Sequence, residues 1–182
     1  KMPWIKNGDM HIIATPIDYL GVNYYARNVY RDKNDEHNLP QVVFAKPRDN
    51  INWTEMGWEI FPDGLYYELT RIAFEYQVPK LYVTENGASF SDGPGPDGKI
   101  HDERRINYIK THIAACHRAL QAGVPLAGYF LWSFLDNFEW AFGYSQRFGI
   151  VHIDYDTLKR TPKDSFEWYA KTCKSKSLEE PE

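Results

Sequence analysis

Glu85 is the residue of this sequence whose type and position most favour chemistry. Residues 81–84 (LYVT) suit a pleated, buried strand, and the turn dipeptide Asn86-Gly87 follows Glu85 at once. The pattern predicts a carboxylate at the carboxyl-terminal tip of a buried strand, where it is costly unless it is paired or hydrogen-bonded. Ligands bind at that edge of the sheet in α/β proteins. A structural role, in which Glu85 caps a helix or pairs with an arginine, is the alternative.

A second apolar run, residues 126–133 (LAGYFLWS), also leads into polar and aromatic side chains. The segment that follows it, residues 134–140 (FLDNFEW), contains two carboxylates, an amide and an indole. Carboxylates and amides match sugar hydroxyls, and an indole face covers the apolar C–H face of a pyranose. The two strand tips together therefore predict a sugar-binding site.

Three apolar strands, each followed by an amphipathic helix, must position these groups. The strands are predicted at residues 19–25, 81–85 and 126–133, and the helices from Pro62 onward, at 102–122 and at 161–173. Three βα units in succession favour parallel strands with right-handed crossovers. Thr161 and Pro162 are predicted to be the cap and the first residue of the last helix. Loops are predicted at residues 1–17, 26–61 and 91–98, and a short extended segment at 148–154.

Asn23 and Tyr25 are predicted on one face of the first strand, because strand side chains alternate with a period of two. The Tyr25 hydroxyl then either bonds a nearby backbone group or points at Glu85. Trp53 and Trp58, in the long second loop, either brace that loop or form the wall of a binding site.

The composition limits the classes of partner. The chain has 182 residues, enough for one domain with a sizeable core, and 43% of them are hydrophobic and 25% charged. A formal net charge of −4 predicts no nucleic-acid partner, and the absence of a long apolar run predicts no membrane partner. Aromatic residues make up 16% of the chain, which favours stacking surfaces as well as a core.

Neither the cysteines nor the histidines are spaced as metal ligands, so no metal or cofactor is expected. Cys116 and Cys173 are predicted to be buried thiols on helices, and they indicate a reducing, cytoplasmic compartment. His101, His112 and His117 are predicted to lie at the surface or at the edge of a helical stripe.

Three segments resemble glycoside hydrolase family 1, the retaining β-glucosidases and β-galactosidases. Residues 81–89 (LYVTENGAS) resemble its nucleophile signature, residues 132–149 (WSFLDNFEWAFGYSQRFG) its sugar-binding loop, and residues 18–25 (DYLGVNYY) its sixth strand. The resemblance implies an α/β fold, the (β/α)8 TIM barrel, which takes about 250 residues. Because this chain is shorter, residues 1–182 are expected to be the C-terminal portion of a single barrel domain, with its sixth, seventh and eighth strands.

The resemblance also implies a role for each candidate residue. Glu85 is the nucleophile, and Tyr25 donates a hydrogen bond to it. Retaining hydrolysis uses a second carboxyl group about 5–5.5 Å away as acid and base. Glu139 accepts hydrogen bonds from the distal hydroxyls and argues against the phospho-sugar branch of the family. The substrate-binding residues implied are, in chain order, Asn23 near the sugar, Trp132 as the stacking floor, Glu139, Trp140 as a hydroxyl donor and Phe148 as a lining residue.

The sequence departs from the family at one important point. The Thr-x-Asn-Glu-Pro motif that carries the family's acid/base is absent, as are its glycone-binding Gln and His. We therefore expect a β-glycoside substrate, but only the nucleophile half of the catalytic pair. The chain is expected to be inactive without the N-terminal fragment of the same barrel. The alternatives are a non-catalytic sugar-binding module that uses Trp132, Glu139 and Trp140, and a purely structural half-barrel.

Overall fold

The computed structural model describes residues 4–33, 41–44 and 52–178. The helices are α1 (Asp9–Ile13), α2 (Pro62–Tyr76), α3 (Glu103–Gln121) and α4 (Asp164–Ser175), with a short 3-10 turn at Trp140–Phe142. The strands are β1 (Leu20–Asn23), β2 (Tyr30–Lys33), β3 (Gln41–Phe44), β4 (Leu81–Asn86), β5 (Leu126–Leu131), β6 (Val151–Ile153) and β7 (Arg160–Pro162).

The central sheet contains three parallel strands in the order β1-β4-β5. Val22 lies opposite Val83, and Val83 lies opposite Tyr129 on the other side. Helices α2, α3 and α4 follow the three strands in turn, so the predicted succession of βα units is confirmed. Within the residues described, no further strand pairs with the outer edge of β1 or of β5.

The main core lies between this sheet and the helices. Leu65, Leu69 and Ala73 recur every four residues along α2, and this buried stripe packs on Leu81 and Val83 of the central strand. Fully burying such an aliphatic side chain stabilises the fold by about 1.5–3 kcal/mol. The sheet is therefore fixed from its helical side, and its strand tips point in one direction.

The residues that the structure describes leave the opposite face of the sheet uncovered. Tyr19, Tyr82 and Phe130 form a row across it, with ring centroids 5.5 Å apart for the first pair and 6.3 Å for the second. Tyr19 is 58% exposed and Phe130 is 57% exposed. An apolar row on a parallel strand face is normally covered, since parallel sheets are buried on both faces.

Two predicted loops contain regular structure. The first loop holds the short helix α1, which begins after Gly8 in a left-handed conformation (φ 98°) and has Asp9 in its first turn. The second holds an antiparallel hairpin, in which Tyr30 of β2 lies opposite Phe44 of β3. Both predictions were wrong because a five-residue helix and a four-residue strand are too short to produce a clear hydrophobic period.

The start of the last helix also differs from the prediction. Thr161 and Pro162 belong to β7, which pairs with β6, and α4 begins only at Asp164. The predicted extended segment at 148–154 is confirmed by β6. The first turn of α4 is capped from a distance by Asp102, whose carboxylate accepts bonds from the Ser165 amide at 2.8 Å and hydroxyl at 2.6 Å. A sequence pattern cannot show a cap that comes from another helix.

Two further predictions were wrong. His112 is fully buried, because its ring stacks on Tyr108 at 4.0 Å and its Nδ1 lies 2.7 Å from the Tyr108 carbonyl oxygen. Cys116 is buried as predicted, whereas Cys173 lies on the exposed side of α4.

None of the described residues forms a cluster of three or more metal-ligating side chains. No helix in the described ranges is both long and apolar enough to span a membrane.

Candidate active site

Glu85 lies one residue before the end of β4, half-buried at the tip of the central strand. The Tyr25 hydroxyl, at the end of the neighbouring strand, donates a hydrogen bond to Glu85 Oε2 at 2.7 Å. Burial first, and then this contact with the carboxylate, raise the pKa of Tyr25. Tyr25 therefore keeps its proton and acts as a donor to an anion.

Aromatic side chains hold the Tyr25 ring in place. Trp58 contacts it with centroids 5.3 Å apart, and Phe148 packs edge-on at 6.2 Å. Trp58 and Phe148 also contact each other at 6.1 Å, and Phe148 is buried. The structure thus brings Tyr25, Glu85 and Phe148 together and adds Trp58 beside them. Trp53 lies in the same segment, before Trp58. Its backbone carbonyl accepts a hydrogen bond from Arg104 at 2.7 Å.

Trp132, Glu139 and Trp140 share one cavity beyond the tip of β5. The cavity has a volume of about 550 Å³, within the range that small-molecule sites occupy. Its lining residues are Trp132, Ser133, Phe134, Leu135, Asn137, Phe138, Glu139 and Trp140. Glu85 and Tyr25 are not among them, so the cavity lies beside the carboxylate rather than around it.

Glu139 connects the cavity electrostatically to the strand tip. Burial first, and then the charge of Glu85, raise the pKa of Glu139, so the two carboxylates lie close enough to interact. The turn that carries Glu139 is closed by its amide, which donates to the Gly143 carbonyl at 2.6 Å. Trp140 in the same turn is 82% exposed and is therefore available to a ligand or another chain segment.

Asn23, which the family resemblance places near the sugar, has a hydrogen-bond partner within the protein. Its Oδ1 accepts a hydrogen bond from the Thr84 hydroxyl at 2.7 Å, on the open face of the sheet. Val22 and Tyr24 are buried in the core on the helical side, so Asn23 and Tyr25 lie on the opposite side, as predicted. Asn23 is exposed and lies opposite Glu85 in the register of the two strands.

Asp136, one of the two carboxylates expected to serve sugar binding, is used inside the protein instead. Its Oδ1 accepts bonds from the Gly149 amide at 2.9 Å and from Lys163 at 3.4 Å. Its Oδ2 accepts from Arg147 at 3.2 Å and from the Ile153 amide at 3.3 Å. A fully buried carboxylate with four donors fixes the loop that carries Glu139.

The same charge network continues into α3. Lys163 also contacts Asp92 at 2.5 Å, and Arg105 contacts Asp92 at 2.6 Å and Asp102 at 2.9 Å. The Arg105 guanidinium further donates to the Ala88 carbonyl, directly after the strand tip. Sequence reasoning missed this network, because its members are spread over four segments and carry no local spacing signal.

Close backbone contact joins the ends of β4 and β5. A Cβ at Gly87 would overlap the Trp132 carbonyl oxygen, so only glycine fits there. The Trp132 amide donates to the Asn86 carbonyl at 2.9 Å. Asn86, predicted to open a turn, is instead the buried last residue of the strand. Glu85 and Trp132 therefore have a fixed separation.

Comparison with known proteins decides the family. The model of glycosyl hydrolase family 1 matches residues 1–178. The chain belongs to this family. The match confirms the resemblance of the three sequence segments, and it falls on the C-terminal portion of the family's proteins.

The curated relatives of this family 1 chain are longer proteins. Beta-glucosidase A of Thermotoga maritima is 49% identical over 179 residues, which are 98% of this chain and 39% of that protein. A bifunctional beta-D-glucosidase/beta-D-fucosidase of Bifidobacterium breve is 43% identical over 180 residues, 91% of this chain and 39% of that protein. The chain thus spans about two fifths of the length of these family members.

Solved structures agree with this assignment. The family 1 β-glucosidase from Thermotoga maritima superimposes with a TM-score of 0.86 at 49% identity, covering 94% of this chain and 38% of that one. The structure of that enzyme with isofagomine lactam gives the same TM-score and covers 93% and 37%. The fold of this family 1 chain is therefore part of the TIM-barrel fold of its relatives.

Proposed function

We propose that this chain is the nucleophile-bearing part of a retaining β-glycosidase. The observation that carries the proposal is the 2.7 Å hydrogen bond from Tyr25 to Glu85 at the strand tip, beside a cavity lined by Trp132, Glu139 and Trp140. A buried phenol that donates to a carboxylate favours its ionised form and limits its orientation. An ionised, oriented carboxylate is what a glycosidase nucleophile requires.

In this proposal Glu85 attacks the anomeric carbon while the bond to the leaving-group oxygen breaks. A covalent glycosyl ester forms on Glu85, and water later cleaves it with retention of configuration. Glu139 accepts bonds from distal hydroxyls and Trp140 donates to a neighbouring one. Trp132 is the stacking floor, whereas Asn23 and Phe148 line the site. Each of these roles rests on the family resemblance.

The acid that protonates the leaving group must come from outside this chain. No Thr-x-Asn-Glu-Pro motif occurs in the sequence. We infer that the chain supplies the sixth, seventh and eighth strands of a single barrel domain, and that the N-terminal part of the barrel supplies the acid. Two observations support this inference. No strand among the described residues pairs with the outer edge of β1 or of β5. In addition, Tyr19 and Phe130 on the uncovered face of the sheet are exposed.

Relatives indicate the substrate class. They are called beta-glucosidases, a 1,4-beta-D-glucan glucohydrolase and a beta-D-glucosidase/beta-D-fucosidase. We propose terminal β-linked glucose or a closely related sugar as the substrate. A cytoplasmic location stays a prediction, supported by the two unpaired thiols Cys116 and Cys173.

Covalent trapping tests the proposal. The assembled enzyme, defined as this chain combined with the N-terminal barrel portion of the Thermotoga maritima relative, is incubated with a 2-deoxy-2-fluoro-β-glucoside. Peptide mass spectrometry is expected to find one sugar on Glu85 and none in the matched variant Glu85→Gln. Sugar binding without a label in an active assembly contradicts the nucleophile role. Sugar binding with neither label nor turnover favours the non-catalytic sugar-binding module.

A further inference from the structure

Three polar side chains, two of them fully buried and one partly buried, lie directly behind the contact between Tyr25 and Glu85. They are Asn86 at the end of β4, Tyr108 on α3 and Tyr129 on β5. Asn86 and Tyr108 are completely inaccessible to solvent. Buried polar groups are stable only when they are hydrogen-bonded, so the partners of these three side chains reveal what they hold.

The Asn86 amide uses both of its N–H donors and one acceptor position of its oxygen on this assembly. Its Nδ2 donates to the Tyr24 carbonyl at 2.7 Å and to the Tyr108 hydroxyl at 3.0 Å. Its Oδ1 accepts from the Tyr129 hydroxyl at 2.7 Å. The Tyr108 hydroxyl in turn donates to the Tyr25 carbonyl at 3.2 Å. Two consecutive carbonyls at the end of the first strand are therefore held by side chains.

These side chains replace strand pairing where it becomes irregular. The regular register of β1 with β4 ends at Val22 opposite Val83, and Asn23 already lies opposite Glu85. Beyond that shift, the Tyr24 amide still donates to the Glu85 carbonyl at 2.9 Å. The Tyr24 and Tyr25 carbonyls lie beyond the last paired residues of β1 and β4. The Asn86 side-chain amide donates to the first of these carbonyls, and the Tyr108 hydroxyl donates to the second.

We propose that Asn86 and Tyr108 are positioning residues that set the backbone of Tyr24 and Tyr25, and so aim the Tyr25 hydroxyl at Glu85. This inference rests on the proposed function. Neither side chain reaches the open side of the site, so each acts on the Tyr25 hydroxyl through the backbone of Tyr24 and Tyr25. The Asn86 backbone carbonyl also holds the Trp132 amide, so one buried residue links the Glu85 strand to both of its neighbours.

The ionisable groups around this assembly define what a pH measurement can report. Glu139 faces Glu85 and Tyr25 across the site. His112 stacks on Tyr108 from the same helix, and burial lowers the pKa of His112 to about 4. Cys116 and Tyr24 complete the buried surroundings. A change in kcat between pH 5 and 7 therefore does not come from protonation of His112 in the folded protein.

Tyr108→Phe tests the proposal with little change of volume, because it removes only the hydroxyl. In the assembled enzyme, kcat is expected to fall about ten- to a hundredfold, as small misplacements do, with KM nearly unchanged. The acidic limb of the kcat profile is expected to move to higher pH, as in Tyr25→Phe. The variant Tyr25→Phe/Tyr108→Phe is expected to lose no more than Tyr25→Phe alone.

Ile109→Val is the matched control, since Ile109 is the buried neighbour of Tyr108 on α3 and carries no polar group. It is expected to lower Tm without moving the acidic limb. A second readout is independent of turnover: the Glu85 carboxyl carbon is titrated by NMR in labelled protein. Its midpoint is expected to rise in Tyr108→Phe by an amount similar to that in Tyr25→Phe.

The two readouts separate the possible failures. If the unmodified assembly is neither labelled nor active, the proposed function fails, and the NMR titration still decides the positioning role. If Tyr108→Phe leaves both the limb and the midpoint unchanged, the positioning role is overturned. If Tyr108→Phe lowers kcat by the same factor in the Tyr25→Phe variant as in the parent, the positioning role is overturned as well. Tyr108 would then act independently of Tyr25.

Discussion

The hydroxyl of Tyr25 and the carboxylate of Glu85 meet at 2.7 Å although 60 residues separate them in the chain. Tyr25→Phe removes the donor and keeps the ring that packs on Trp58 and Phe148. The ionised carboxylate loses stabilisation, so kcat is expected to fall and the acidic limb of the pH profile to move upward. Steady-state kinetics from pH 4 to 8 in the assembled enzyme measure both effects. An unchanged profile would show that the contact has no role in turnover.

Glu139 is expected to recognise the distal hydroxyls of the sugar. A site built to hydrogen-bond a hydroxyl rejects analogues that lack it, by up to about 10⁴–10⁵-fold. Glu139→Ala is therefore expected to reduce kcat/KM for a β-glucoside much more than for the corresponding 4-deoxy or 6-deoxy glycoside. Comparison of both substrates in the parent and the variant provides the measurement. Equal losses on the two substrates contradict the role.

His112 is expected to make the fold sensitive to acid. Burial lowers its pKa to about 4, against about 6.5 in the unfolded chain, so the unfolded state binds more protons between these values. Stability then begins to fall as the pH drops below about 6.5, and the loss reaches roughly 3 kcal/mol at pH 4, since one pKa unit is worth about 1.4 kcal/mol.

The variant His112→Phe keeps an aromatic ring on Tyr108 and removes the titrating group. The variant loses the contact of His112 Nδ1 with the Tyr108 carbonyl oxygen at 2.7 Å, but no bond at Nε2, which among the buried side-chain atoms described has no hydrogen-bond partner. Urea denaturation at pH 7 and pH 4.5 is expected to show a smaller difference in the variant than in the parent. An equal difference in both proteins would assign the acid sensitivity to other groups.

Lys163 is expected to be the most sensitive member of the buried charge network. It lies between Asp92 at 2.5 Å and Asp136 at 3.4 Å, with almost no exposed surface. Lys163→Met leaves two buried carboxylates short of a cation, which is expected to lower the free energy of unfolding by about 3–5 kcal/mol. The exposed pair Arg71–Glu75 offers a control. Arg71→Gln is expected to leave the denaturation midpoint nearly unchanged in the same experiment, because exposed ion pairs contribute little.

The chain alone is expected to be silent on a chromogenic β-glucoside and to regain activity when the N-terminal barrel portion is added. Without a general acid, cleavage loses about 10²–10⁴-fold. Unpaired buried backbone groups at the sheet edges cost about 1–3 kcal/mol each, against a total stability of about 5–15 kcal/mol. Activity of the purified chain is measured after mass spectrometry has excluded a companion. Clear turnover by the chain alone contradicts the fragment proposal.

The strand tips could be predicted because their signals are local, whereas the contact between Tyr25 and Glu85, which are 60 residues apart, was implied only by the family resemblance. A short β-rich run followed by a carboxylate and a turn places Glu85, and the period of two places Tyr25. The spacing predicted an apolar stripe of Leu65, Leu69, Ile72 and Tyr76 on α2; Leu65 and Leu69 are buried, whereas Tyr76 is 66% exposed. Glu139 and Trp132 were likewise predicted from the run that precedes them, and both line the cavity.

The supporting residues could not be predicted, because each acts on a distant segment. Asn86 binds Tyr24, which is 62 residues earlier, and Asp102 binds Ser165, which is 63 residues later. Nothing in their immediate sequence distinguishes these two from an ordinary turn residue and an ordinary cap. Asp136 was assigned to the sugar for the same reason, since a carboxylate in a polar loop gives no sign of four donors inside the fold.

The bond between Asp102 and Ser165 has a consequence for local unfolding. Asp102 precedes α3, and its carboxylate closes the first turn of α4, so the two helices share one cap. Local opening of α4 would take both Ser165 donors from a buried carboxylate that then keeps only Arg105 as its partner, so the first turn of α4 is expected to open only together with the start of α3. Terminal helices usually fray, yet in hydrogen exchange the first-turn amides of α4 should be protected as long as those of α3.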